Sequence, residues 1–269
     1  MHSSNVTKAL QLFRYLVKLP FSNPRGLREV AGVALNTAAG VADSEIDVLP
    51  IPIVSLTDLV ADEKEPIHIE NLVFPQITFS ISIIEAVTLA LLMHKAKAKR
   101  VFEFGTHRGV STTQLCANLP TTGELFTLDL PDDDRSTQFR IDHVGDAEVS
   151  QYPTKADLIP MDMRNRIRFL RQDSALFDPS PFRESIDFVF VDAAHTASYV
   201  ENDSEKAWTM LRPGGIVAWH DCRPESADVV RYLRACRFGP KRIAGGTLAF
   251  ATKPDSQRRL FVTDRFQKI

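Results

Sequence analysis

The stretch RVFEFGTHRGVST, residues 100–112, decides the reading of this chain. Val101, Phe102 and Phe104 give it the character of a buried strand, and Glu103 sets a carboxylate among them. Gly105 and Gly109 then break the strand into a turn, and a helix is expected to start near Ser111. Glycines at such a turn let the backbone approach a ligand closely. An acid just before the turn suggests that this ligand is not simply a phosphate.

Outward from this stretch, helix and strand patterns alternate. A helix over about 80–97 leads into the strand 100–104, and the strand ELFTLDL (124–130) follows a turn at Thr122 and Gly123. Residues 131–165 lack clear periodicity and form an insertion after the second strand. The strands RIRFLRQD (166–173) and IDFVFVDA (186–193) come next, separated by DPSPF (178–182), which reads as a turn. The second of them is nearly all apolar, as a strand buried on both faces should be. A helix over 196–211 sets Val200, Ala207, Trp208 and Leu211 on one face, and RPGG closes it with glycines. The strand IVAWHD (216–221), a helix near 225–236 and the strand TLAFAT (247–252) complete the series, the last strand expected to run antiparallel. Such alternation predicts an α/β fold with a doubly wound, mainly parallel sheet and its ligand at the carboxyl ends of the strands.

The main domain is expected over 81–269, behind an N-terminal helical extension and connector over 1–80. In the extension, Leu10, Phe13, Leu16 and Val17 share one face of a helix over 7–19. Asn23 caps a second helix that opens with Pro24, and 38–78 is an irregular, proline-bearing connector. This extension either packs on the main domain or serves as a dimer contact or substrate cover. The 269 residues are 44% hydrophobic and 25% charged, ordinary values for a globular protein. A net charge of −2, from 32 basic and 34 acidic residues, gives no basic stripe for nucleic acid or an anionic membrane. Three cysteines (Cys116, Cys222 and Cys236) without CxxC spacing read as reduced thiols of a cytoplasmic protein. The greasiest run, 83–93, holds 11 residues including Glu85 and is too short to span a membrane. No signal-peptide core is evident at the N-terminus.

Two ligands suit the glycine turn. A dinucleotide wants GxGxxG, whose middle glycine lets a pyrophosphate reach the helix N-terminus. Here the spacing is Glu103-x-Gly105-x-x-x-Gly109, with no middle glycine. Asp129 ends the next strand, 20 residues past Gly109, where an acid accepts hydrogen bonds from ribose hydroxyls. Asp173, in RQDS, ends the third strand, although an acid at either place also serves to cap a helix.

This pattern, followed by small hydroxyl residues, resembles motif I of the class I S-adenosylmethionine-dependent methyltransferases. The resemblance spans roughly 80–253 and is strongest at FVFVDAAHTASYVENDSEKAWTMLRPGGIVAWHD. It points to the small-molecule O-methyltransferase branch, similar to the catechol and caffeoyl-coenzyme A enzymes and to bacterial enzymes of glycan and natural-product pathways. The resemblance implies a seven-stranded, Rossmann-like sheet. It also implies that Glu103 faces the ammonium of the cofactor's methionine and Asp173 lies near the adenine amino group. Gly105, Thr106, Gly109, Ser111, Asp129, Ser174 and Asp192 complete the expected cofactor contacts.

In the catechol-type enzymes a divalent cation polarises the acceptor hydroxyl. Its ligands are an aspartate ending the fourth strand and an Asp-Asn pair ending the fifth. Asp192 matches the first position, and His220-Asp221 stands where the pair would be. Magnesium prefers oxygen, whereas an imidazole favours manganese, iron or zinc. Asp192, His220 and Asp221, with His195 nearby, therefore either form a mixed metal site or leave His195 or His220 to act as general base. Otherwise His195 caps a helix and His220 is satisfied at a strand end. The chain is thus expected to methylate a hydroxyl on a small molecule, with dimerisation through the N-terminal helices a family habit. The rivals are an iron oxygenase on the same scaffold, a nicotinamide oxidoreductase and a catalytically silent cofactor-binding subunit.

Overall fold

A computed structural model describes residues 51–69, 72, 80–141, 145–146 and 156–255. The helices expected over 7–19 and after Asn23 lie outside the described residues, as does part of the insertion. In chain order the elements are β1 (Ile53–Val54), α1 (Leu56–Leu59), α2 (Ile83–Ala96), β2 (Arg100–Phe104), α3 (Val110–Ala117), β3 (Glu124–Asp129), β4 (Ile167–Arg171), β5 (Ile186–Val191), α4 (Ala197–Met210), β6 (Leu211–Trp219), α5 (Ala227–Ala235), β7 (Lys241–Ile243) and β8 (Ala249–Thr252). Single 3-10 turns precede β4 and β5.

The sheet runs β1-β7-β8-β6-β5-β2-β3-β4. Every pairing is parallel except those of β8, which lies antiparallel between β6 and β7. The chain leaves β2 towards β3 and β4, then returns to β5 on the other side of β2. That reversal is the topological switch point at which open α/β sheets bind ligands.

Two details depart from the sequence reading. The described residues carry eight strands rather than seven, because the connector contributes β1, whose Pro52 and Val54 carbonyls accept the N–H groups of Arg242 and Ala244. RPGG does not follow a helix terminus with an irregular cap. The helix stops at Met210, Leu211 already pairs with Ile186, and the glycines fill a register shift before Ile216 pairs with Phe188. Gly214 donates to the Lys253 carbonyl within this irregular strand.

Side-chain alternation splits the core into two layers. Val101, Phe188, Phe190, Ile216 and Ala218 join Leu89, Leu92 and Met93 of α2 and Leu115 of α3 in one cluster. Phe102 meets Phe104, Phe177 and Phe182 at 4.9, 5.3 and 5.4 Å between ring centroids. Further along the sheet, Trp219 donates its indole N–H to Ser204 of α4, and Phe238 stacks on both Trp219 and Trp208. Fully burying each such ring contributes about 1.5–3 kcal/mol relative to leaving it exposed. The apolar run 83–93 is accordingly a buried helix. Its start is set by a capping box in which Ser82 and Glu85 exchange backbone hydrogen bonds.

Asp187 ties the opposite ends of the central strands together. Its carboxylate accepts the N–H groups of Lys99 and Arg100 at 2.8 Å each and Nε of Arg212 at 2.5 Å. Arg212 in turn donates to the carbonyl of Ala96 at the end of α2. Asp187→Ala strands two backbone donors and a guanidinium, a loss of about 2–4 kcal/mol. Urea denaturation should show a lower midpoint with an unchanged slope. A change under about 0.5 kcal/mol, the size of a neutral surface substitution, would remove this role from Asp187.

Candidate functional site

The glycine turn joins β2 to α3 at the switch point. Gly105 has φ +93° and Gly109, the N-cap of α3, has φ +89°. A Cβ on Gly105 would stand 2.0 Å from the carbonyl oxygen of Asp192, and one on Gly109 would stand 2.3 Å from Cγ1 of Ile159. The middle position of a dinucleotide turn is taken by His107, which adopts φ +45° despite its side chain. Asp129 holds it there: one carboxylate oxygen accepts the N–H of Thr106 at 3.0 Å and of His107 at 2.7 Å. The other accepts from Leu130 at 2.7 Å. Arg108 pairs with Asp157 through two hydrogen bonds and accepts from Leu158 through its carbonyl.

Glu103 lies beneath this turn rather than at its surface. It has no exposed area, and its Oε2 accepts from the hydroxyls of Thr112 at 2.6 Å and Thr127 at 2.7 Å. Its Oε1 has no hydrogen-bond partner among the described residues. Thr112 and Thr127 hold Glu103 inward, beneath the turn. The unpartnered oxygen nevertheless fits a ligand that brings a donor or a positive charge to the turn. Ser111 and Thr106 are buried in the same place, and Thr106 shares a 2.7 Å hydroxyl contact with Thr127.

Asp173 is buried and spent on the protein itself. It accepts the N–H of Gln138 at 2.6 Å, the N–H of Ala175 at 2.9 Å and the hydroxyl of Tyr199 at 3.0 Å. These bonds tie Gln138, the residues just past β4 and α4 together. The carbonyl of Ser174 accepts from Asn202 and Lys206 of the same helix.

At the ends of β5 and β6 the acids and histidines interlock. Nε2 of His195 lies 2.6 Å from Asp221, and its Nδ1 lies 2.6 Å from Asp146. Nδ1 of His220 lies 3.0 Å from Asp192 and 3.3 Å from Asp221, while its Nε2 faces Glu85 at 3.4 Å. Arg223 closes on the remaining side of Asp221 at 2.9 Å. Burial alone would depress both imidazole pKa values. For His195 the hydrogen bonds and charges of Asp146 and Asp221 outweigh it and lift the value to about 10. For His220 the charges of Asp192, Asp221 and Glu85 likewise prevail. Asp221 and Glu85, which burial would push up, are held well below the carboxylate range by these histidines.

This arrangement revises the expected cation ligands. Asp192, His195 and Asp221 each present one ligand atom, all within 4.8 Å of one another. His220 is not in that set, although its Nδ1 lies 3.0 Å from Asp192 and 3.3 Å from Asp221. Two carboxylates and one imidazole suit manganese, iron or zinc better than magnesium. Both imidazoles face carboxylates at both ring nitrogens, so neither is a free general base in this arrangement. The sequence reading missed Asp146 and the part played by Glu85. A signal for Glu85 existed in the Ser82-x-x-Glu85 capping box, whereas nothing in the sequence around Asp146 marks it.

Enclosure, helped by the charge of Asp192, pushes the Glu103 pKa up to about 7, against the hydroxyls of Thr112, Ser111 and Thr127. The folded chain therefore keeps a proton that the unfolded chain releases near pH 4.5. This contribution is whole below that pH and is lost as pH rises through about 7. Glu103→Gln should flatten the fall in stability between about pH 5 and 7.5, by on the order of 3 kcal/mol. Parallel pH profiles for the variant and the parent in urea melts would show that Glu103 does not carry it.

Residues 102–222 match the family model described as a methyltransferase domain. No curated protein matches the chain in sequence. Among solved structures, an O-methyltransferase from Bacillus cereus in complex with SAH is 17% identical, with 89% of this chain and 96% of that one covered at a TM-score of 0.45. The O-methyltransferase TomG from Streptomyces achromogenes, in complex with SAM, is 20% identical over 65% of this chain and 82% of its own, at a TM-score of 0.46. Glu103, the glycine turn, Asp129, Asp173 and the cluster from Asp192 to Asp221 all fall inside the segment that matches the methyltransferase-domain model.

Proposed function

We propose that this methyltransferase uses S-adenosylmethionine to methylate a hydroxyl of a small molecule. The observation that carries the reading is the backbone contact between Gly105 and Asp192 at the switch point. It sets the glycine turn, a cofactor cradle, directly against the acid–histidine cluster, an acceptor-activating site. S-adenosylmethionine, when bound, supplies a methyl group on a sulfonium. The residues that would hold it are the turn 105–109, Glu103 beneath it, Ser111 and Asp129, whose carboxylate has lone pairs left for ribose hydroxyls. Asp173 and Ser174 support this site through Tyr199 and α4.

The acceptor end is built for charge. Four carboxylates (Glu85, Asp146, Asp192 and Asp221) face two imidazoles and the guanidinium of Arg223. Asp192 is the more open of the two strand-end acids, with 20% of its side chain exposed against 9% for Asp221. It is the group placed to orient an acceptor hydroxyl or take its proton. A divalent cation held by Asp192, His195 and Asp221 would supply polarisation of that hydroxyl. A metal-free histidine base is the weaker reading, since both ring nitrogens of His195 face carboxylates. A cytoplasmic location and a dimer through the N-terminal helices remain parts of the same proposal. Among the described residues no helix is long and apolar enough to cross a membrane.

Calorimetry with S-adenosylhomocysteine and, in parallel, NADH tests the cofactor. Micromolar binding of the first alone is expected, and binding of NADH alone would overturn the reading. Methyl-labelled S-adenosylmethionine with a panel of phenolic, sugar and polyketide hydroxyls then tests the reaction. Asp192→Asn should lower turnover at least about 100-fold while leaving S-adenosylhomocysteine binding within a few-fold. Dialysis against EDTA should lower turnover and manganese restore it. Full turnover in EDTA would remove the cation, and full turnover of Asp192→Asn would remove Asp192 from the chemistry.

A further inference from the structure

Asp146 belongs to the insertion, yet it reaches the cluster at the end of β5. Its Oδ2 accepts the backbone N–H of His195 at 2.5 Å, and its Oδ1 lies 2.6 Å from Nδ1 of the same residue. One carboxylate thus grips both the main chain and the ring of His195. The grip fixes the residue's backbone and its side-chain torsions together. The opposite ring nitrogen, Nε2, is left pointing at Asp221. Both partners are well enclosed, with 11% of the Asp146 side chain and 16% of the His195 side chain exposed. Solvent therefore competes weakly for the contact.

The insertion is anchored a second time one turn further along. Gln138 donates to Asp173, and Phe139 packs edge-on against Tyr199 with 5.2 Å between ring centroids. His195 precedes the first turn of α4, and Tyr199 lies in that turn. The two anchors therefore place Gln138, Phe139 and Asp146 beside the start of α4. A loose surface tie would not engage an imidazole whose other face belongs to the reaction site.

We propose that Asp146 is a positioning residue for methyl transfer. It holds His195 so that Nε2, not Nδ1, is offered to the space between Asp192 and Asp221. This rests on the reading of Asp192, His195 and Asp221 as the acceptor end. Carboxylates that orient a metal-binding imidazole in this way are worth about 10–100-fold in metal affinity or activity.

The test uses the full chain with Asp146→Ala and the milder Asp146→Asn. Three properties are measured: nitrogen-15 NMR of the histidine rings with His195 assigned by His195→Gln, manganese affinity by electron paramagnetic resonance, and S-adenosylhomocysteine affinity by calorimetry. Both variants should shift the His195 ring signals and weaken manganese binding about 10–100-fold. S-adenosylhomocysteine affinity should stay within about 2-fold, and in turnover assays kcat should fall while KM for S-adenosylmethionine holds. Unchanged ring signals and manganese affinity, with only a lower melting temperature, would reduce Asp146 to a structural tie and overturn the proposal. If Asp146→Ala fails to fold, Asp146→Asn decides by the same measurements. If the parent protein binds no S-adenosylhomocysteine, the methyltransferase reading fails instead. The ring signals then still report whether Asp146 holds His195.

Discussion

The backbone of Gly105 passes so close to the carbonyl of Asp192 that no side chain fits between them. That approach fixes the ends of β2 and β5 relative to each other. The rest of the site follows from it. The turn after β2 cannot drift from the acids after β5, and Asp129 draws the turn towards β3 by holding its N–H groups. Asp192 itself donates its N–H to the carbonyl of Phe104, so the two strands stay zipped up to the last residue. Cradle and acid cluster thus share one rigid seam in the centre of the sheet, where burial on both faces is greatest.

Much of this was legible in the chain. The continuous apolar runs at 100–104 and 186–193 marked the two central strands, because a strand covered on both faces has no polar period to obscure it. Asp129, Asp192 and Asp221 were placed correctly at strand ends because hydrophobic runs stop where the sheet stops. What was not legible is of another kind. β1 is two residues long and exists only because β7 offers an edge. The RPGG stretch looked like a helix stop, yet it pairs within a shifted strand. The partners of Glu103 are not legible either: they are the hydroxyls of Thr112 and Thr127, 9 and 24 residues away.

The placing of His195 and His220 has the same origin. His220 is adjacent in the chain to Asp221. Glu85 reaches it from α2 across 135 positions and competes for its ring. His195, 26 residues before Asp221, then takes the place beside that acid. Sequence spacing reports which residues end strands. It carries little about which carboxylate an imidazole will choose when four are within reach.

The aromatic stack beside β6 gives the protein an optical property. Trp208 and Trp219 are the chain's two tryptophans, and Phe238 lies against both. Trp219 is also the last residue of its strand, one peptide bond from His220. All intrinsic indole emission therefore comes from one aromatic layer, a buried Trp219 and a half-buried Trp208, that reaches the carboxyl end of β6, so ordinary fluorescence observes that region without any label.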